Sequence, residues 1–590
     1  MTQDQIILFS LFVAVFVLLI WGRFRYDLVA FTALMFGVIV GVVPTDQAFS
    51  GFGHPATIVV ALVLVISAGL VRSGAVYLIT RTMVDSARGL GTHIALMGGI
   101  GGILSAFMNN VAALALLMPV DIQTARKAGR SPGLSLMPLS FATILGGMAT
   151  LIGTPPNIII ASIRQESLGE SYKMFDFAPV GALVALAGLI FVALIGWRLI
   201  PVRDDAVAKV SDLAEYIAEL TVPDESKHIG KRLSELQETA DKTDVALIGL
   251  TRDGKRRYGA ARNSLLQAED CIVLEGRPEA IDEFRAATSL NFSDDEREEK
   301  LKAAGDGLDL IEAVVPEHAR IVGKTAQSVG LTWRQGALLL GLSRQGQRLK
   351  RLIRQTSIKA GDIVLLLVPK DRGSEVTHWL GVLPLANRGL SVTQDSKTWM
   401  AIGIFFVAVA LASFGVLYLP IALGCVAVAY VITRIIPITE LYNEIEWPVV
   451  VLLGSMIPLG AALDEAGGTE LIADALVGLT AGFPAWAVLA VLMAVTMTLS
   501  DVLNNTATTI VAAPVGIEMA RILDVSADPF LMAVAVAASS AFLTPIGHKN
   551  NTLVLGPGGY RFGDYWRMGL PLEVIVVAVA VPAILVFWPL

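Results

Sequence analysis

Four asparagines stand in adjacent pairs inside apolar segments, Asn109-Asn110 and Asn504-Asn505, and each pair has the same neighbours. Leu104-Ser105, Ala112 and Pro119-Val120 around the first recur as Leu499-Ser500, Ala507 and Pro514-Val515 around the second, 395 residues on. A buried amide in lipid is costly unless satisfied, so intramembrane polar residues mark a site or a helix contact. If each pair sits where one half-helix ends and another begins, the N–H groups of the second half-helix point into the membrane with the positive end of its dipole. Asn110, Asn505 and Thr506 then add donors without charge, beside Asn109, Val111 and Asn504. Such a pocket prefers an oxyanion, and two opposed tips suit one with two negative charges. The plainer alternative is that the asparagines only cap their helices.

Two further segments interrupt apolar runs, Gly153-Thr154-Pro155-Pro156-Asn157 and Gly547-His548-Lys549-Asn550-Asn551, and Thr150, Gly153 and Asn157 recur as Thr544, Gly547 and Asn551 at an offset of 394. Proline removes an N–H and frees carbonyls, which at membrane depth are tolerated where they line a cavity or hold a cation. A Na⁺ site built on tip and break carbonyls is expected; a plain kink is the alternative. The halves differ where His548-Lys549 stand opposite Thr154-Pro155, and where Asp501 stands opposite Ala106. Lys549 is expected to face the anion or replace one cation, with Asp501 as a charge partner. The alternative is a purely structural Asp501–Lys549 pair, or a lysine reaching to water.

These residues need membrane elements to position them. The chain has 590 residues, 54% hydrophobic and 16% charged, with mean hydropathy +0.65, which excludes an ordinary soluble enzyme. Charge is concentrated, with 59 of the 97 charged residues between 201 and 395. About 20 apolar residues span a bilayer core, and six runs precede that region and six follow it. The first, Ile6 to Trp21, does not read as a cleaved leader, because Arg23 and Arg25 follow it. Basic loops face the cytoplasm. Arg23, Arg25, Arg72, Arg81, Arg88, Arg126, Lys127 and Arg130 can share that side only if 94–120 is a re-entrant hairpin with its tip near Met108-Asn109-Asn110. The second half, with a hairpin at 485–520, threads in the opposite orientation, and only Arg521 violates the rule. The expected fold is a polytopic α-helical membrane protein with inverted repeats at 1–200 and 396–590.

The charged middle carries its own repeat. Gly249-Leu250-Thr251-Arg252 matches Gly341-Leu342-Ser343-Arg344 at an offset of 92, and so does Ala268-x-Asp270 with Ala360-x-Asp362. Two small α+β modules, at 210–290 and 305–380, are expected on the cytoplasmic side. Strands are placed at Val245 to Leu250, Cys271 to Leu274, Ala337 to Leu342 and Ile363 to Val368, with the acidic run Asp294 to Glu299 as a solvated linker. Two cysteines, Cys271 and Cys425, provide no disulfide framework or metal cluster. The net charge of -7 carries no nucleic-acid signature.

Met108 to Ala112, Leu503 to Thr508 and Gly146 to Asn157 resemble the divalent anion/Na⁺ symporter (DASS) family, whose tips carry Ser-Asn-Thr motifs. The modules resemble the C-terminal lobe of domains that regulate potassium conductance and uptake (RCK_C, or TrkA-C), and the tail Gly556 to Asp564 is similar to the sulfate-permease-like branch carrying that insertion. The resemblance covers nearly the whole chain. It implies an elevator transporter, a homodimer through a scaffold, moving sulfate or a dicarboxylate with Na⁺ across a bacterial plasma membrane. Asn109 and Asn504 depart from the motif serine, and Val111 from the threonine.

The resulting expectation is a non-enzymatic secondary transporter of a small divalent oxyanion, most of all sulfate. Substrate contacts are assigned to Asn109, Asn110, Val111, Asn504, Asn505, Thr506 and Lys549, and cation contacts to Asn109, Gly153, Thr154, Asn157, Asn504, Gly547 and His548. The coupling ion is Na⁺, with H⁺ the alternative, and no cofactor is expected. A dicarboxylate or arsenite permease is the nearest rival. An RCK-regulated channel is the rival of another class, although no Thr-Val-Gly-Tyr-Gly filter occurs. For the modules, a small regulatory ligand such as a nucleotide and dimer contact alone both stay open; without GxGxxG, NAD is not expected.

Overall fold

The computed structural model describes residues 1–21, 24–74, 88–201, 217–385 and 397–590, apart from 244, 253–254, 258–263, 276–277, 293–307, 318, 332–334, 336, 345–346, 349–355, 370–371 and 481. Arg23, Arg81 and the acidic run Asp294 to Glu299 lie outside the described residues. The chain divides into two units, 1–202 with 389–554 and 561–590, and 203–388 with 555–560.

The first unit is helical. In its first half the helices are α1 Gln3–Trp21, α2 Tyr26–Val40, α3 Pro55–Arg72, α4 Leu90–Phe107, α5 Asn110–Lys127, α6 Gly133–Gly147, α7 Pro155–Leu168 and α8 Ala178–Leu194. Of these, α2 and α7 stop at Gly41 and Gly169, both in the left-handed conformation that glycine adopts without strain. The second half has α9 Thr398–Ser413, α10 Leu419–Ile432, α11 Trp447–Glu465, α12 Gly468–Leu479, α13 Ala485–Ser500, α14 Asn505–Ile522, α15 Ala527–Ser539, α16 Lys549–Leu555 and α17 Tyr565–Phe587. Among the described residues, five helical spans are long and apolar enough to cross a membrane. Val13, Val574 and Val586 are exposed on two of these spans, and Phe36, Ile39, Val428 and Ile432 on the shorter apolar helices α2 and α10, an apolar surface suited to lipid.

Both halves contribute to each packed group. Helices α2 and α3 pack against α11 and α10, while α8 packs on α17 and α7 on α14 and α15. Where α4 crosses α6, a Cβ on Gly146 would collide with the backbone of Gly102, so glycine permits the contact that holds the first helix pair.

Both interruptions begin earlier in the chain than the sequence predicts. The first runs from 148 to 154, because Pro155 and Pro156 open α7, a position where the missing N–H costs nothing. The second runs from 540 to 548, and Lys549, Asn550 and Asn551 already lie in α16. Helix α12 corresponds to no run in the sequence reading; its acidic and polar residues Glu470 and Asp474 dilute the apolar signal.

The second unit contains two five-stranded antiparallel sheets. The strands of the first are β1 Ile217–Thr221, β2 Ala246–Arg252, β3 Lys255–Arg257, β4 Cys271–Glu275 and β5 Asn291–Phe292, in the order β3-β2-β4-β1-β5. The second has β6 Leu308–Val314, β7 Leu338–Arg344, β8 Gln347–Arg348, β9 Ile363–Pro369 and β10 Leu383–Pro384, in the order β10-β6-β9-β7-β8. The internal repeat is geometric as well as sequential. Arg252 grips Asp270 through Nε–Oδ1 and Nη2–Oδ2, both 2.7 Å, and Arg344 grips Asp362 in the same way at 2.8 and 2.7 Å. The β2–β4 and β7–β9 ladders carry an irregularity at the same place, Leu247/Gly249 and Leu339/Gly341. The central strands were legible in the sequence; β1 and β6 were missed, because charged residues break their apolar alternation.

Candidate functional site

Each asparagine pair forms a helix junction with the same wiring. Asn109 caps α5, its Oδ1 accepting the Val111 N–H at 2.9 Å, and Asn504 caps α14 by accepting the Thr506 N–H at 2.9 Å. Ser105 Oγ donates to Asn110 Oδ1 at 2.5 Å, as Ser500 Oγ does to Asn505 Oδ1 at 2.9 Å. Capping is therefore a real part of what Asn109 and Asn504 do, and each serine fixes the second carboxamide of its pair. The sequence repeat contained Ser105 and Ser500, but their spacing of five from Asn110 and Asn505 acquires meaning only when the helix ends and the chain turns back.

The interruptions are wired alike too. Asn157 Nδ2 donates to the carbonyls of Met148 and Thr150 at 3.3 and 2.8 Å, and Asn551 Nδ2 to those of Ala541 and Thr544 at 3.0 and 3.1 Å. Thr150 Oγ1 donates to the Ala106 carbonyl and Thr544 Oγ1 to that of Asp501 at 2.5 Å, so each loop is tied to the end of the helix before its own tip.

All four segments meet at one cavity of about 110 Å³, room for several water molecules. Its walls carry Asn109, Asn110 and Val111 from the first junction, Gly153 and Thr154 from the first loop, Asn504, Asn505 and Thr506 from the second junction, and Gly547, His548 and Lys549 from the second loop and α16. Val60, Val63 and Leu64 of α3 and Glu446 and Val449 at the start of α11 close the other side. The cavity thus combines the N-terminal ends of α5 and α14, where unpaired backbone N–H groups collect, with carboxamides, the hydroxyls of Thr154 and Thr506, the Lys549 ammonium and the Glu446 carboxylate.

Two expected residues stand apart from the walls. Asn157 is buried and spends its amide on the loop carbonyls, so it positions the loop instead of lining the cavity. Asp501 does not pair with Lys549 as the sequence reading expected. Its Oδ1 accepts the Leu543 N–H at 2.8 Å, and Lys549 Nζ meets Glu446 Oε2 at 2.5 Å. The reason is directional: α16 starts at Lys549 and carries its side chain toward the start of α11, while Asp501 closes α13 on the other side of the loop.

The structure adds partners that sequence reasoning missed. Asn550 is fully buried, and its Nδ2 donates to Thr143 Oγ1 at 2.8 Å and to the Asn110 carbonyl at 3.2 Å, binding the second loop to the first tip. The His548 ring is held on both edges, with Nδ1 3.1 Å from the Asn550 N–H and Nε2 3.4 Å from Asn110 Nδ2, so it joins the second loop to α16 and to the first tip. Glu446 had one sequence signal, an acid directly before the Trp447-Pro448 helix start.

This cavity between two like-wired helix junctions lies in a helical unit that, among the described residues, has five spans long and apolar enough to cross a membrane. The family model for the citrate transporter matches residues 16–527 and 485–590, and the chain belongs to that family. It is 30% identical to an uncharacterized transporter of Synechocystis over 92% of this chain and 91% of that one. It is 29% identical to the uncharacterized transporter YfbS of Escherichia coli over the whole of both chains. Sodium/sulfate cotransporter 2 of Chlamydomonas reinhardtii is 26% identical over 58% of this chain and 40% of its own length. The chain is therefore a membrane protein and a secondary transporter of the citrate/sulfate type.

Proposed function

We propose that this protein moves a small divalent oxyanion, sulfate before others, across a bacterial plasma membrane, coupled to Na⁺. The observation that carries the reading is the convergence of Asn110, Asn505, Thr506 and Lys549 on one cavity faced by two helix N-termini. Neutral donors, helix dipoles and one cation favour a compact anion over a cation or a neutral solute. The name of the Chlamydomonas relative supports sulfate with sodium.

On this reading the paired helices α4–α5 and α13–α14 are re-entrant hairpins of an inverted repeat. The carbonyls of Gly153 and Gly547, with Thr154, Asn109, Asn504 and His548, serve the coupling cation. The hairpins with their loops travel as one body past the remaining helices, and the protein works as a homodimer. The two sheet modules are RCK_C-like regulators on the cytoplasmic side.

The test is uptake of radiolabelled sulfate into liposomes holding the purified protein, with and without an inward Na⁺ gradient, against unlabelled citrate, succinate and arsenite as competitors. Saturable, Na⁺-driven sulfate uptake is expected. Uptake of citrate in preference to sulfate favours the second reading, which the family description supports. Passive current without saturation rules out a transporter.

A further inference from the structure

A second polar cluster lies away from the cavity, at the base of α4, α5 and α6. His93 in the first turn of α4, Asp121 in α5 and Ser135 in the first turn of α6 are 5%, 0% and 2% exposed. His93 Nε2 is 2.6 Å from Asp121 Oδ1, and Ser135 Oγ donates to Asp121 Oδ2 at 2.5 Å. A carboxylate only accepts, so with Asp121 ionised the imidazole donates from Nε2. The proton that can come and go is then the one on Nδ1. With it the buried pair is neutral overall; without it an enclosed carboxylate is left with two neutral donors and no countercharge.

The cluster is not needed to hold the helices together. At the sequence offsets of 395 and 394 its three positions become Val488, Gly516 and Pro529, all buried. There α13 and α14 pack on α15 as α4 and α5 pack on α6, with no polar side chain at any of the three positions. A polar cluster confined to one copy of a repeated helix contact points to chemistry instead of packing.

Among the described residues, the other charges on the packed elements are engaged or turned elsewhere. Helices α4 and α6 contain no further ionisable residue, and α8, which packs on both, contains none. Arg126 and Lys127 in the last turn of α5 are exposed, and the Arg130 guanidinium donates to the Arg88 carbonyl. At the two ends of α3, His54 pairs with Glu166 and Arg72 with Glu440. Arg198, in the short turn Gly196–Leu199 that packs on α6, stacks on Trp197.

We propose that His93, Asp121 and Ser135 form a proton-binding site, which takes a proton from water on His93 Nδ1 and returns it to water, so that anion uptake depends on pH. The link to uptake rests on the anion-transporter reading. Its structural basis is α6. Beyond Ser135 the same helix carries Ser140, whose hydroxyl donates to Asn551 Oδ1 at 2.9 Å, and Thr143, whose hydroxyl accepts the Asn550 Nδ2–H at 2.8 Å. It ends at Gly147, packed against Asn110 Oδ1. Loss of the proton leaves a buried charge that water entering between the helix bases relieves, and α6 carries the shift to the first tip and the second loop.

Nitrogen-15 NMR of the histidine rings, in the full-length protein in lipid nanodiscs, reads the site directly. The chain has six histidines, and the His93 signals are those missing in His93→Gln, or those left once the other histidines are substituted singly. Between about pH 5 and 8 the His93 ring is expected to pass from the doubly protonated form to the form protonated on Nε2 alone. In Asp121→Asn the change should move to lower pH, by about tenfold in proton concentration. Where that variant does not elute as a monodisperse protein, Ser135→Ala replaces it and should move the change to higher pH, because the carboxylate then relies on the imidazolium alone. Sulfate uptake that varies with pH in the wild type and loses that variation in His93→Gln completes the expectation. A His93 ring in one protonation state across the range, or a change that the variant leaves in place, overturns the proton site. Identical pH profiles of uptake in wild type and His93→Gln overturn its link to transport. The expected titration without uptake of any anion supports the proton site and counts against the proposed function alone.

Discussion

Lys549 Nζ and Glu446 Oε2 face each other at 2.5 Å across the cavity, joining the start of α16 to the N-cap of α11. The Lys549 ammonium also lies 5.9 Å from the centre of the Tyr26 ring. On the anion-transport reading the pair is a competition: an anion that takes Lys549 must displace the Glu446 carboxylate. Both side chains are about a quarter exposed, so water screens the pair and it is replaceable at modest cost.

Glu446→Gln should therefore strengthen anion binding, by several-fold or about 1 kcal/mol. Lys549→Thr should weaken it, or make uptake depend more steeply on Na⁺, as the added cation replaces the lost ammonium. Calorimetric binding and uptake at varied Na⁺ check both. Unchanged affinity and Na⁺ dependence in Lys549→Thr would make it a structural partner only.

Alanine at Asn110 or Asn505 removes a carboxamide donor from the cavity wall. Losing one donor to a charged partner in a dry site costs about 1.5 to 3 kcal/mol, or roughly ten- to a hundredfold in affinity. If both variants fold and retain wild-type affinity, the anion binds elsewhere.

Gly147 is a steric sensor of the same site. A Cβ there would collide with Asn110 Oδ1, while one on Gly99 would make an ordinary contact at 3.7 Å with Leu189. Gly147→Ala should lower uptake, with overpacking of about 1 to 3 kcal/mol showing in thermal stability, and Gly99→Ala should leave both near wild type.

In the sheet modules, Asp362 is 1% exposed and held by Arg344, whose guanidinium that hydrogen bond pushes above its ordinary pKa. Arg344→Ala leaves a buried carboxylate uncompensated, at a cost of about 3 kcal/mol. Faster amide exchange in β9, and in β4 for Arg252→Ala, is the expected readout.

Deleting roughly 205–390 and joining the ends by a flexible linker should leave a monodisperse transporter with an altered rate, because the helical unit is assembled from both flanking segments. Aggregation of the deletion in detergent would make the modules structural instead.

Much of the site was legible because it depends on local chemistry that repeats. Asparagine pairs, glycines and prolines at matched spacing announce helix ends whatever surrounds them, and two copies at offsets of 395 and 394 made the tips and loops stand out from apolar background. The central strands of the modules were readable on the same terms. Charge pairing was not. Lys549 has Asp501 nearer in the chain and Glu446 nearer in space, and Asp501 takes the Leu543 N–H, 42 positions on. A helix start converts one residue of register into about 100° of direction, so where α16 begins decides which acid its lysine meets. Sequence alone determined which residues end helices and carry donors; the tertiary structure decided which of them share a wall, because pairing across a cavity is set by helix packing and not by spacing along the chain.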